Sequence, residues 1–195
     1  MPPRGYIQVY TGNGKGKTTA AIGLAIRALG AGMNVLLLQF MKSKSYSEHN
    51  ILPQLSPKLT LETLGKPFFI AKEGAMTAGE LAKWGDEVVV FPPGKPPAKY
   101  LAVVQDGIAR AREAVGSGQY DLVILDEINV AMFFGLATWA QVQEIIQVKP
   151  PGVELVFTGR GAPPELLERA DLVTEMREVR HYYHQGVEAR PGIEN

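Results

Sequence analysis

Short runs of apolar residues alternate along this chain with longer stretches in which apolar positions recur every three or four residues. The runs read as strands buried on both faces and the stretches as helices that cover them. That order predicts an α/β fold with a mainly parallel sheet. Residues 6–10 form the first predicted strand, followed by a Gly-rich turn and a small-residue helix over about 18–29. Gly30 and Gly32 stop that helix, and 35–40 (VLLLQF) is a second, buried strand. Residues 59–63 make a weaker, alternating strand. Helices are predicted over 77–84 and 98–115, the second with Leu101, Val104, Ile108 and Ala111 at helical spacing. Further strands follow at 122–125 and 153–157, a helix at 139–146, a short helix at 165–169 and a final core strand at 172–175.

Two stretches do not follow this pattern. Residues 41–58 are polar with two prolines and read as a long loop with one helical turn. Residues 86–99 carry four prolines and a short apolar run, as a lid or a packed surface loop would. A length of 195 residues fits a single domain over 1–195.

Charge and composition narrow the chemistry. Lys plus Arg and Asp plus Glu number 20 each, so there is no general pull toward nucleic acid or an anionic membrane. An anion must be held by a local site. The absence of cysteine excludes disulfides, iron–sulfur clusters, Cys-ligated zinc and a Cys nucleophile. The start, MPPRGYIQVY, has no features of a secretory signal, and no apolar stretch has the length of a membrane span. The expected location is the cytoplasm.

The strongest motif is Thr11-Gly12-Asn13-Gly14-Lys15-Gly16-Lys17-Thr18-Thr19, between a predicted strand and a predicted helix. Glycines let successive amides turn inward, and the helix start adds partial positive charge, as phosphate binding requires. Lys17 supplies a point charge, and the Thr18 hydroxyl is spaced to ligate Mg²⁺. The loop departs from the general G-x-x-x-x-G-K-[ST] pattern, because the first glycine would fall at residue 11, which is Thr. The pose of a triphosphate is therefore open. The second half of the motif is Leu122-Val123-Ile124-Leu125-Asp126-Glu127, an apolar strand ending in two acids. Asp126 is the candidate to reach the metal, and Glu127 taken alone points to hydrolysis. Acids also simply terminate buried strands.

GNGKGKTTAA at 12–21, VLLLQFMK at 35–42, VILDE at 123–127 and the long segment FTGRGAPPELLERADLVTEMREVRHYYHQGVEARPGIE at 157–194 resemble the ATP:corrinoid adenosyltransferases of the phosphate-loop type. The resemblance covers most of the chain. It implies a three-layer sheet with helices on both faces on a RecA-like phosphate-loop NTPase scaffold. It further implies transfer of the 5′-deoxyadenosyl group of ATP to a Co(I) corrinoid with release of triphosphate, and a homodimer served by a flavoprotein reductase. The alternative on the same scaffold is a small-molecule kinase or ATPase yielding ADP.

The resemblance also assigns roles. ATP falls to Gly12, Asn13, Gly14, Lys15, Gly16, Lys17, Thr18 and Thr19, and Mg²⁺ (or Mn²⁺) to Thr18 and Asp126. Arg160, after a predicted strand at the sheet edge where ligands collect, is read as a further phosphate contact, with surface solvation as its alternative. Lys17, Thr18 and Glu127 form the catalytic set, with Glu127 better read as a ribose or metal contact than as a water activator. Phe68 and Phe69 match aromatics that cover the lower corrin face, with core packing as their alternative; Trp84 is a weaker candidate. Glu48 falls where relatives carry Gly-Glu, although Ser47 replaces the glycine. His181 and His184 are read as partly exposed or nucleotide-edge residues rather than a metal pair.

Overall fold

The computed structural model describes residues 4–43 and 46–195, without the side chains of Glu80, Lys83, Trp84 and Asp86. In chain order the elements begin with β1 (Ile7–Thr11), α1 (Lys17–Gly30), β2 (Val35–Phe40), α2 (Leu52–Leu55), β3 (Leu59–Leu64), β4 (Phe69–Lys72) and α3 (Ala78–Trp84). They continue with β5 (Val88–Phe91), α4 (Ala98–Ser117), β6 (Leu122–Asp126), α5 (Ile128–Phe133), α6 (Trp139–Gln147), β7 (Glu154–Thr158), α7 (Pro164–Arg169) and β8 (Leu172–Glu175). Six strands form one sheet in the order β3-β2-β6-β7-β1-β8, and every pairing in it is parallel.

Side-chain alternation on the central strands separates two cores. Val35 and Leu37 of β2 and Leu122 and Ile124 of β6 pack with Ala21, Ala25 and Ala28 of α1. Leu36, Leu38, Val123 and Leu125 point the other way, into a core shared with α4 and α6. Alanines on α1 let the helix lie close to the sheet, so the phosphate loop is fixed at the strands' carboxyl ends, where ligands collect in open α/β sheets. The fold is α/β, with helices on both faces of a parallel sheet. Among the described residues no helix is long and apolar enough to cross a membrane.

Three sequence expectations need correction. Residues 86–99 are not a loop throughout: β5 lies there and pairs in parallel with β4 as a separate two-stranded sheet, from Phe69 opposite Val88 to Lys72 opposite Phe91. Phe91 is buried in the core, so the apolar run is anchored structure and the prolines follow it. Residues 41–58 hold a 3-10 turn, Ser47–Asn50, and the helix α2, more order than the expected single turn. Finally, β8 is no core strand; it forms the sheet's edge beside β1, with all four residues exposed. The helix α5 leaves no mark in the sequence pattern, because six residues (INVAMF) are too few to display a period.

Candidate active site

Gly12 and Gly14 shape the phosphate loop by packing. A side chain at Gly12 (φ 93°) would place its Cβ 2.4 Å from the Met176 carbonyl oxygen, and the Gly14 amide already donates to that oxygen at 2.7 Å. Asn13 Oδ1 accepts from the Glu178 amide at 3.1 Å. Gly12, Asn13 and Gly14 thus all abut residues 175–178, and Gly14 through Thr19 also line a cavity of about 650 Å³. Arg160 lies on the same wall. Of the nine residues expected to meet ATP, seven line this cavity, and Gly12 and Asn13 pack behind it.

Lys17 is buried and curls back on its own loop, donating to the carbonyls of Gly12 (2.8 Å) and Gly14 (2.6 Å). Burial lowers its pKa, assisted by the Arg160 charge and opposed by Glu127 and Asp126. Lys15 points outward instead. Its ammonium is 2.8 Å from both the Glu194 carboxylate and the Ile193 carbonyl, and the Glu194 bond raises its pKa. The C-terminal residues therefore form part of the cavity wall. Gly192 donates to Ser47 Oγ at 3.1 Å, and Ser47 Oγ donates to the Asn195 carbonyl at 2.8 Å. Tyr182 donates to Glu194. Arg190 and Lys15, through hydrogen bonds, depress the Glu194 pKa strongly.

Asp126, at the end of β6, is wholly buried and fully partnered. Its Oδ1 accepts from Thr18 Oγ1 (2.9 Å) and Thr158 Oγ1 (2.6 Å), and its Oδ2 from Gln39 Nε2 (3.2 Å) and Lys42 Nζ (3.0 Å). The Thr158 hydroxyl also accepts the Glu127 amide at 2.9 Å. That bond holds Glu127 in a left-handed conformation, φ 60°. Met41, one residue past β2, is the other non-glycine with positive φ among the described residues. Such backbone costs of order 1–3 kcal/mol each and is kept where surroundings enforce it. Here both occur at the ends of neighbouring strands and aim Lys42 and Glu127 into the cavity. Burial raises the Glu127 pKa, and the Asp126 charge adds to this against the pull of Lys42, Lys17 and Arg160.

Lys42 had no role assigned from sequence. A lysine two residues past a buried strand's carboxyl end is the available signal. Burial lowers its pKa, but Asp126, Glu48 and Glu127 outweigh that and hold it above the ordinary lysine value. Glu48, 3.7 Å from Lys42 and 3.5 Å from Gln39 Nε2, also lines the cavity.

A second cavity, about 200 Å³, adjoins the first across Lys42, Tyr46 and Glu127. Its remaining wall includes Met41, Phe69, Tyr100 and Phe134. Phe69 is half exposed there. Phe68 turns into the core and packs edge-on against Tyr100, with ring centroids 5.6 Å apart. The two phenylalanines therefore part company. The Trp84 side chain lies outside the described residues. His181 lines the larger cavity and accepts the Tyr183 amide at Nδ1, while His184 pairs with Glu178 at 2.6 Å. Among the described residues no group of three or more His, Asp or Glu side chains gathers as a metal site.

Residues 3–195 match the family described as ATP:corrinoid adenosyltransferase BtuR/CobO/CobP. The chain belongs to this adenosyltransferase family. It is 31% identical over 192 residues to the corrinoid adenosyltransferase of Pseudomonas aeruginosa, covering 98% of this chain and 84% of that one. Identity to the corrinoid adenosyltransferase CobA of Salmonella typhimurium is 32% and to the Escherichia coli enzyme 30%, each over 98% of this chain and 86% of the relative. The solved flagellar accessory protein FlaH of Methanocaldococcus jannaschii aligns with a TM-score of 0.49 at 13% identity, over 89% of this chain and 72% of that one. The protein is accordingly an enzyme, and its activity is adenosyl transfer from ATP to a corrinoid.

Proposed function

We propose that the chain transfers the 5′-deoxyadenosyl group of ATP to the cobalt of a Co(I) corrinoid and releases intact triphosphate. The cobalt electron pair attacks the ribose 5′-carbon, the bond from that carbon to the α-phosphate oxygen breaks, and its electron pair leaves with the triphosphate. Cobalt ends as Co(III) in the new cobalt–carbon bond. The reading rests chiefly on the two adjoining cavities, one lined by a phosphate loop and one by aromatics, which meet at Lys42, Tyr46 and Glu127. A nucleotide and a large apolar ring can react across that seam. Because cobalt is the nucleophile, no protein base is required.

Lys17 and Lys15 take the charge that develops on the leaving triphosphate, Lys15 after release from Glu194, and Arg160 adds a further donor. Thr18 and Asp126 offer hard oxygen ligands, a donor set that fits Mg²⁺ or Mn²⁺. When bound, the ion neutralises phosphate charge. Glu127 contacts the ribose or the metal. Phe69 meets the lower face of the corrin, displacing its axial ligand so that Co(II) becomes reducible, and Phe68 supports it from the core. A flavoprotein reductase supplies the electron. The enzyme works as a cytoplasmic homodimer.

An anaerobic assay tests this reading. Pre-reduced Co(I) corrinoid, ATP and Mg²⁺ yield a light-sensitive cobalt–carbon product and triphosphate in equal amounts. ADP and phosphate without alkylated corrinoid would instead establish the kinase or ATPase reading.

A further inference from the structure

The Lys42 ammonium lies where the proposed divalent ion would. It is 3.0 Å from Asp126 Oδ2 and 3.3 Å from Thr18 Oγ1, which are the side chains assigned to the metal. Its placement is enforced. Met41 before it is left-handed at φ 63°, and Gly65 packs so closely that a Cβ there would fall 2.6 Å from the Lys42 backbone. The side chain is buried, and water reaches little of it.

We propose that Lys42 is the resident cation of the nucleotide-free site, neutralising Asp126 and blocking divalent metal until the nucleotide arrives with its own. This rests on the reading of the loop as an Mg²⁺–ATP site. Two cations cannot share the same oxygens at about 3 Å without strong repulsion. When the metal enters, Lys42 must therefore withdraw, and a berth is already built for it. Glu48 is 3.7 Å away, and the Tyr46 ring face lies 4.8 Å from the ammonium. A lysine serves this purpose where arginine would not, since its charge is a compact point on a flexible stem. Metal and nucleotide then load together, and a bare metal ion is refused.

The test uses the full chain and Mn²⁺ alone, followed by paramagnetic resonance of the free ion. Without nucleotide, the wild type leaves the free Mn²⁺ signal intact, whereas Lys42→Met, which leaves Asp126 uncompensated, binds Mn²⁺ at least about tenfold more tightly. With ATP present, which itself complexes free Mn²⁺, uptake is read as metal retained with the protein after ultrafiltration, and the wild type then retains Mn²⁺ together with nucleotide. Lys42→Gln makes the same measurement should the Met variant fail to fold. The proposal is overturned if the wild type binds Mn²⁺ alone as tightly as the variants do, or if folded variants bind none. If the wild type takes up no Mn²⁺ even with ATP, the reading of the loop as an Mg²⁺–ATP site fails first, and the role of Lys42 with it.

Discussion

On one side of Glu127, the larger cavity takes six consecutive residues, 14–19, from a single strand–helix turn. On the other side, the smaller cavity draws Met41, Phe69, Tyr100 and Phe134 from four separate parts of the chain. The first is set by local backbone geometry and by the strands β2 and β6, which are buried from end to end. The second depends on the small β4–β5 pair, where Val89 and Val90 are exposed and only Ile70, Ala71 and Phe91 reach the core. Substitutions in the two regions should fail differently: chemistry is lost on the phosphate side, and selectivity for the cobalt state on the aromatic side.

The largest effect belongs to the phosphate side. Lys17→Ala should cost at least about a hundredfold in kcat in the anaerobic assay, since one preorganised charge at a developing anion has that worth. Thr158→Val comes next. It removes a donor from Asp126 and the acceptor of the Glu127 amide, so unfolding in urea should show a loss of about 1–3 kcal/mol, with kcat reduced and Thr158→Ser restoring most of both.

Across the seam, Phe69→Ala should leave the reaction of pre-reduced Co(I) within about twofold and slow the reaction starting from Co(II) about tenfold. Phe68→Ala should lower stability by about 2–4 kcal/mol instead, because it leaves a hole against Tyr100. A Co(II)-selective defect in Phe68→Ala alone would reverse the division between them.

Glu127 belongs to both cavities and sharpens the comparison through pH. Its pKa is raised in the folded chain, so the folded state holds the proton more tightly than the unfolded one. The associated stability is complete below the ordinary carboxylate value and is lost as pH rises through the folded value. Glu127→Gln should therefore show a thermal midpoint that declines less than that of the wild type as pH rises from acid to neutral. The smallest effect is expected at the exposed tail, where Glu194→Gln should change the KM for ATP by only a few-fold.

Legibility in the sequence follows the same division. The phosphate loop and the acid pair could be read because each is contiguous and its spacing carries the chemistry. The β2, β6 and β7 strands could be read because burial on both faces leaves an unbroken apolar run in each, and β1 because its alternating residues run straight into the phosphate loop. The β4–β5 pair was hidden, since FIAK and VVVF are short, lie far apart in the chain and are bordered by prolines. Lys42 stands within VLLLQFMK, yet its importance comes from meeting Asp126 across two strands, a relation no local pattern displays. What Gly12 and Asn13 pack on was hidden for the converse reason: their motif is local, but their partner, residues 175–178, is distant.

The ion pair of Lys15 with Glu194, beside the bonds of Ser47 to Gly192 and Asn195, has a kinetic consequence. Charges at the surface are screened over roughly 8 Å at physiological ionic strength, and less salt strengthens them. Low salt should thus tighten the C-terminal residues over the larger cavity and delay entry, while the same condition draws an anionic nucleotide faster toward the lysines. The two effects oppose each other, so the association rate for ATP should pass through a maximum with added salt, where a bare basic loop would show only a steady decline.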